Sequence, residues 1–153
     1  MPKFGSASAS RLSTCDARLQ VLAETVVKYH DCSCIEGWRG EDEQNKHVDA
    51  GRSKVRWPDG KHNRTTPEGV PCSLAVHLVP YPNLDWEDRE RFYYFAGIVL
   101  GLAQNLCIPL RWGGDWDMDH NFKDQTFDDL CHFEISDLKK ENDNGSDYSW
   151  LDR

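Results

Sequence analysis

The apolar segment over residues 92–103 is the feature that most restricts how this chain can fold. It is apolar on nearly every face of a helix, so we expect it to lie inside a protein core. The predicted helix covers residues 86–106, with Asp85 as its N-cap. Its first turns carry arginines and acids, and its apolar part of about a dozen residues is shorter than the ~20 of a membrane span. The segment therefore predicts a core helix.

The rest of the chain supplies enough elements for one α+β domain. Its 153 residues can bury a single core. Apolar spacing predicts an amphipathic helix over residues 13–30, with Ser13 or Thr14 as its N-cap. Strands are predicted over 32–38, 73–79, 109–113 and 130–135, and a polar helix or loop over 40–51. This order favours a small antiparallel-type sheet packed against helices.

Two segments lack periodicity. Residues 52–71 are rich in proline and glycine, which predicts a long irregular loop of the kind that often carries function. Residues 136–153 are polar and include the run Asn-Asp-Asn-Gly-Ser, which predicts a mobile tail. We therefore expect a folded domain over residues 1–135 and a tail over 136–153.

The charge of the chain restricts its partners. Lys and Arg number 18 against 26 Asp and Glu, a net charge of −8, and this acidic balance argues against a nucleic-acid-binding protein. Residues 1–10 contain one lysine and no apolar run, so no signal peptide is indicated. We expect synthesis and residence in a cytosol.

Three histidines are candidate metal ligands: His62 in the long loop, His77 in the 73–79 strand and His132 in the last strand. Their separations of 15 and 55 residues give only a weak signal, because no compact pair such as H-E-x-x-H is present. Taken singly, each is more typical of a hydrogen-bonded structural histidine.

Five short motifs together give a more specific indication. They are, in order, Ile-Glu-Gly-Trp-Arg-Gly (35–40) with Glu-Gln-Asn (43–45), Lys-His-Asn (61–63), Ala-Val-His-Leu-Val-Pro-Tyr-Pro (75–82), Leu-Arg-Trp-Gly-Gly-Asp-Trp (110–116) and Asp-Leu-Cys-His-Phe-Glu (129–134). Over about residues 4–135 the chain resembles phage-encoded members of the D-Ala-D-Ala carboxypeptidase and VanY-like zinc peptidases, which include L-alanyl-D-glutamate endopeptidase endolysins. The resemblance implies a hedgehog/D-Ala-D-Ala-peptidase-like zinc peptidase fold.

The resemblance also implies a zinc site. The loop histidine, a residue of the following strand and the last histidine would bind one Zn²⁺, which here means His62, His77 and His132. The family usually has Asp where this chain has His77. Three imidazoles and one water still complete a tetrahedral catalytic site, and three neutral ligands leave the full charge on zinc.

Further roles follow from the same resemblance. Asp129 would be the catalytic base, in the turn before the last strand, with its neighbour Asp128 as the alternative. Arg39 would stabilise the oxyanion, unless it is a surface arginine paired with Glu41 or Glu43. Strand alternation, independently of the resemblance, would place Glu134 on the same face as the last histidine, where it would orient a ligand.

Substrate contacts are expected from three residues of the matching motifs, Gln44, Trp112 and Asp115. Trp112 and Trp116 are equally typical of core or rim packing. Asp115, Asp117 and Asp119 alternate as at the start of a calcium loop. An EF-hand is excluded because its sixth and twelfth positions are His120 and Thr126, which leaves a loose Ca²⁺ contact or a solvated acidic loop.

The sequence therefore predicts a zinc-dependent peptidoglycan endopeptidase that cuts the stem peptide, first of all at the L-Ala–D-Glu bond. It would be a monomeric phage lysis enzyme held in the host cytoplasm until lysis. One alternative is a D-Ala-D-Ala-type carboxypeptidase of the same fold. The other is a non-catalytic wall-binding domain, if the replacement of the usual Asp by His77 has abolished metal binding.

Overall fold

The computed structural model describes residues 1–136, which form four helices, a 3₁₀ turn and one four-stranded sheet. The order is α1 (Ser6–Leu12), α2 (Ala17–Tyr29), β1 (Cys32–Glu36), α3 (Glu41–Asp49), the 3₁₀ turn (Lys61–Asn63), β2 (Ala75–Pro80), α4 (Arg89–Asn105), β3 (Leu110–Trp112) and β4 (His132–Ile135).

The strands lie in the order β1-β2-β4-β3, and each neighbouring pair is antiparallel. This architecture confirms the predicted α+β class with a small antiparallel sheet. The central strands bring distant residues together, because His77 of β2 pairs directly with His132 of β4. On the other side of β2, His77 pairs with Glu36 across an irregularity of β1 between Cys34 and Glu36.

The core lies against one face of the sheet. On β4, Phe133 and Ile135 point into a cluster built with α2 and α4, whereas His132 and Glu134 point the other way. Phe133 is fully buried and packs edge-on against Phe95 of α4. Helix α4 is therefore the core helix that its composition predicts, and the opposite face of the sheet is left for polar side chains.

The helix starts differ from the sequence predictions. Helix α2 begins at Ala17, and its N-cap is Asp16, whose carboxylate accepts a hydrogen bond from the backbone N–H of Arg18. Helix α4 begins at Arg89, later than expected, with Asp88 as its N-cap. The predicted caps at Ser13, Thr14 and Asp85 were wrong, because an aspartate closer to each helix satisfies its free N–H groups.

Helix α1 was not anticipated, because Leu12 is its one buried residue and its apolar pattern is weak. The predicted tail lies outside the described residues except for Ser136, which is buried and donates its backbone N–H to the carbonyl of Pro109. None of the helices within residues 1–136 has the length and apolar character needed to cross a membrane.

Candidate metal centre and active site

The three candidate histidines meet on the polar face of the sheet. Nε2 of His62 lies 3.2 Å from Nε2 of His77 and 3.3 Å from Nδ1 of His132, and the last two atoms are 3.1 Å apart. The imidazoles stand at 66–84° to one another. His62 comes from the 3₁₀ turn, and the other two come from paired positions of β2 and β4.

The outer nitrogen of each ring has its own acceptor. Nδ1 of His62 lies 2.7 Å from the carbonyl of Gly37, Nδ1 of His77 lies 3.0 Å from Oε2 of Glu36, and Nε2 of His132 lies 2.8 Å from Oε2 of Glu134. Since an oxygen acceptor calls for a proton on the facing nitrogen, these contacts assign the single proton of each neutral ring to its outer side.

The inner nitrogens are then three lone pairs that face one another, an arrangement that calls for a cation between them. Their 3.1–3.3 Å separations approach the roughly 3.3–3.4 Å expected between two ligands at 2.0–2.1 Å in a tetrahedral site. The residues present therefore fit a metal ion.

Burial supports the neutral state of two of the rings, those of His62 and His132. Burial lowers the pKa of His62 well below its ordinary value, and repulsion from His77 and His132 lowers it further. The pKa of His132 is also lowered by burial, although the nearby Glu134 acts in the opposite direction. Neutral imidazole is the form that binds a metal ion.

Asp129 lies directly beside this group. Its Oδ2 is 3.5 Å from Nε2 of His77 and 3.9 Å from Nδ1 of His132. Asp129 precedes β4 and lies in a turn that is closed by a hydrogen bond from the His132 N–H to the Asp129 carbonyl. Asp128, the alternative, points away and forms an ion pair with Arg89. Of these two aspartates, Asp129 is the one that reaches the inner nitrogens.

Arg39 is buried and belongs to an ion pair, so it is not the surface arginine of the alternative. Its Nε donates to Oε1 of Glu36 at 2.8 Å and its Nη2 to Oε2, while Nη1 donates to Gln44 at 2.9 Å. Burial raises the pKa of Glu36, but hydrogen bonds from His77 and Arg39 outweigh it and hold the pKa well below its ordinary value. Glu36 is therefore an anion between a histidine and an arginine.

Glu134 occupies the corresponding position behind His132. Its other oxygen accepts from Nε of Arg111 at 3.0 Å and also from Nη2. Burial raises the pKa of Glu134, yet the hydrogen bonds from His132 and Arg111 bring it below its ordinary value. Two of the three histidines therefore have a carboxylate partner that is paired in turn with an arginine. Glu36 links His77 to Arg39, and Glu134 links His132 to Arg111.

The site opens into a groove of about 1150 Å³. Residues 51–55 line one part of it and residues 125–129 another, and Lys54 reaches over the ring of Phe127 at 4.9 Å. Trp116 is a lining residue, and its ring lies 5.2 Å from the ring of His132. The groove is therefore open to an extended substrate beside the three histidines.

The three residues expected to contact substrate occupy different places. Gln44 lines the groove but is almost fully buried, and its amide bonds Arg39, Asn63, Ser53 and the carbonyl of Val55. Trp112 lies in the core, and the groove is lined by Trp116 instead. Asp115 is not among the lining residues.

Asp115 instead organises the acidic loop. Its carboxylate accepts hydrogen bonds from the backbone N–H groups of Asp119 and His120 at 3.2 and 3.1 Å. The carboxylates of Asp115, Asp117 and Asp119 come within 4.8 Å of one another. Exposed acidic groups of this kind are common without an ion, so a calcium contact here stays a prediction.

Glu36 is a residue of the candidate site that the sequence reasoning missed. The available signal was a carboxylate at the end of an otherwise apolar strand, inside a matching motif. Strand alternation would have placed it on the face of Cys34, which lies in the core. The irregularity of β1 changes that face, and a sequence pattern does not reveal it.

A largely buried three-histidine cluster with an adjacent carboxylate, set in a groove, is compatible with a metal site and is typical of metal-dependent hydrolases. Comparison with known proteins agrees with this class. The family model described as phage L-alanyl-D-glutamate peptidase matches residues 1–136. The chain therefore belongs to this family, which makes it a peptidoglycan endopeptidase and confirms the predicted family.

Two individual proteins illustrate the relationship. The chain is 27% identical over 127 residues to the L-alanyl-D-glutamate peptidase of Escherichia phage T5, covering 80% of this chain and 88% of that protein. It is also similar to the crystal structure of the Serratia marcescens L-Ala D-Glu endopeptidase ChiX. That match has a TM-score of 0.66 and 22% identity over 88% of this chain and 91% of the other, and it shows the shared fold.

Proposed function

We propose that this protein is a zinc-dependent endopeptidase that hydrolyses the L-Ala–D-Glu bond of the peptidoglycan stem peptide. The observation that carries the proposal is the triangle of imidazole nitrogens, 3.1–3.3 Å on a side, beside the carboxylate of Asp129. The scissile bond is inferred from family membership and from the relatives named above.

Zinc is the metal that best suits the donor set. Three neutral imidazole nitrogens with room for a fourth ligand are typical of catalytic zinc. When bound, zinc lowers the pKa of its water to about 7 and polarises the carbonyl of the substrate. His62, His77 and His132 would hold the ion, and their outer hydrogen bonds would keep each ring in the required tautomer.

Asp129 is proposed as the general base. Its carboxylate lies within 4 Å of two inner nitrogens, which supports the proposal that it takes a proton from the attacking water. It would then return the proton to the amine that leaves. Its second oxygen, Oδ1, is 3.2 Å from the thiol of Cys131. Burial raises the pKa of Cys131 well above its ordinary value, so this thiol stays protonated beside the base.

Arg39 is proposed as the donor that stabilises the oxyanion. It lines the groove, and three of its five N–H donors are used by Glu36 and Gln44. The other two are available to a negative charge that develops on the substrate. Because this guanidinium is fixed on two sides, it would bind the oxyanion without reorganising.

The biological role that fits this chemistry is host-cell lysis by a phage. The enzyme would remain in the host cytoplasm until it reaches the cell wall, and it would act as a monomer. Its substrate would enter along the groove between residues 51–55 and residues 125–129.

The test is digestion of defined muropeptides by zinc-loaded and metal-free protein, with the products read by mass spectrometry. We expect release of products that end in L-Ala and begin with D-Glu, and no cleavage after the metal is removed. Release of terminal D-Ala would indicate a carboxypeptidase instead. Absence of cleavage with zinc bound would indicate a wall-binding domain.

A further inference from the structure

Glu36 stands at a point where the backbone departs from regular strand geometry. Cys34 pairs with Leu78, and the next pair joins Glu36 to His77, so Ile35 is an extra residue in β1. A bulge of this kind re-aims the side chains that follow it. Glu36 thereby reaches the polar face of the sheet opposite His77.

The carboxylate of Glu36 has two partners of different function. Oε2 is 3.0 Å from Nδ1 of His77, and the same carboxylate forms a two-point ion pair with Arg39 through Nε and Nη2. Its side chain is only 17% exposed. The position of the Glu36 carboxylate is therefore set by His77 and Arg39, and the carboxylate has little contact with solvent.

We propose that Glu36 is a positioning residue that fixes a metal ligand, His77, and the oxyanion donor, Arg39, relative to each other. This inference rests on the proposed function, which assigns those roles to His77 and Arg39. The carboxylate keeps the proton of His77 on Nδ1, which leaves Nε2 for the metal. It also holds the guanidinium of Arg39 and balances its charge.

The negative charge of Glu36 is needed for both tasks. An amide at this position has one acceptor oxygen and an NH₂ group, so it can accept from His77 or from Arg39 while its NH₂ faces the other donor. The buried guanidinium would then lose its counter-charge close to a bound cation. The neutral variant should disturb both partners together.

Glu36 also belongs to a second group of possible ligands, with Glu43 and His47. Both oxygens of Glu36 are already engaged by His77 and Arg39, and Nε2 of His47 lies 4.0 Å from Oε1. The geometry therefore favours the positioning role over a second metal site. Glu41 is also a glutamate exposed on α3, but it does not line the groove, which makes it a matched control.

The experiment compares Glu36→Gln with Glu41→Gln in the full chain. Zinc affinity is measured by competition with a chelator, and kcat is measured separately with zinc in saturating excess. We expect Glu36→Gln to weaken zinc binding about 10–100-fold. We also expect kcat at saturating zinc to fall about 10–100-fold, because Arg39 is no longer held in place. Glu41→Gln should leave both quantities unchanged.

Two results would overturn the inference. Zinc affinity of Glu36→Gln within about twofold of the wild type would remove its role toward His77, since outer hydrogen-bond partners normally contribute tenfold or more. An unchanged kcat at saturating zinc would remove its role toward Arg39. Zinc affinity needs no substrate, so it tests Glu36 even if the wild type fails to cleave muropeptides, a failure that would refute the proposed function alone.

A second measurement uses the wild-type protein and does not depend on the folding of a variant. The ring nitrogens of His77 are observed by NMR in the zinc-loaded protein. We expect a slowly exchanging proton on Nδ1 and a metal-bound Nε2. A proton on Nε2 would contradict the contact with Glu36 and overturn the inference.

Discussion

Oδ2 of Asp129 lies 3.5 Å from Nε2 of His77, although the two residues are 52 positions apart in the chain. The pairing of β2 with β4 and the turn before β4 create this proximity. Asp129 is therefore a candidate base that lies beside the inner nitrogens of the histidine cluster and is not one of the three predicted metal ligands.

Replacing Asp129 with Asn should remove the base and spare the metal site. We expect kcat to fall about 10²–10⁴-fold, the usual contribution of general acid–base catalysis, while zinc content remains equimolar. The matched control is Asp128→Asn, because Asp128 pairs with Arg89 outside the cluster. Full activity of Asp129→Asn together with an inactive Asp128→Asn would transfer the role to Asp128.

Removal of any one imidazole should remove the metal. His62→Ala, His77→Ala and His132→Ala each take one of three ligands, so we expect loss of bound zinc and of activity. Metal analysis after dialysis measures the first effect, and muropeptide digestion measures the second. A variant that binds zinc as tightly as the wild type would show that its histidine is not a ligand.

Glu134→Gln should weaken metal binding without removing it. The carboxylate fixes Nε2 of His132 at 2.8 Å, and loss of such a partner typically costs 10–100-fold in affinity. Excess zinc should restore most of the activity. Arg111→Gln should have a smaller effect, because Arg111 reaches His132 only through Glu134. Equal zinc affinity for Glu134→Gln and the wild type would refute this role.

Gly113→Ala should displace the base. A Cβ at Gly113 would overlap the backbone carbonyl of Asp129, and the two residues are also joined by an N–H···O bond of 2.7 Å. We expect kcat to fall about 10²-fold, the scale of a 1 Å misplacement, with zinc still bound. Gly97→Ala, where a Cβ meets nothing within 4 Å, is the control and should keep full activity.

The metal-free protein should lose stability as the pH falls below about 6.5, the ordinary pKa of histidine. The lowered pKa values of His62, His132 and His47 mean that the unfolded chain binds protons before the folded one does. The free energy of unfolding therefore begins to fall near the histidine pKa of the unfolded chain. It continues to fall until the pH is below the lowered pKa values of the folded protein. The pKa values of Glu36 and Glu134 are also lowered. Their protonation reduces the free energy of unfolding only at more acidic pH, below the ordinary pKa of a glutamate.

Urea denaturation of the metal-free protein at about pH 7.5 and about pH 5.5 measures this effect as a change in the free energy of unfolding. A His62→Gln variant should show a shallower decrease, because one of the responsible groups is absent. Equal stability at the two pH values would contradict the prediction.

Local patterns in the sequence predicted those parts of the molecule that depend on neighbouring residues. The apolar content of α4 placed it in the core, and alternation along β4 placed His132 and Glu134 on one face. The motifs gave the family, which is shown by the match over residues 1–136. The ligand set and the base were named by resemblance, and the structure brings those side chains together.

Only the tertiary structure decided which residues support the site. The bulge in β1 turns Glu36 toward His77, burial places Trp112 in the core and Trp116 in the groove, and Gln44 becomes a buried link between Arg39 and residues 53–55. The physical reason is range: helix and strand periodicities are set by adjacent residues, whereas register, side-chain burial and charge pairing depend on contacts between segments far apart in the chain.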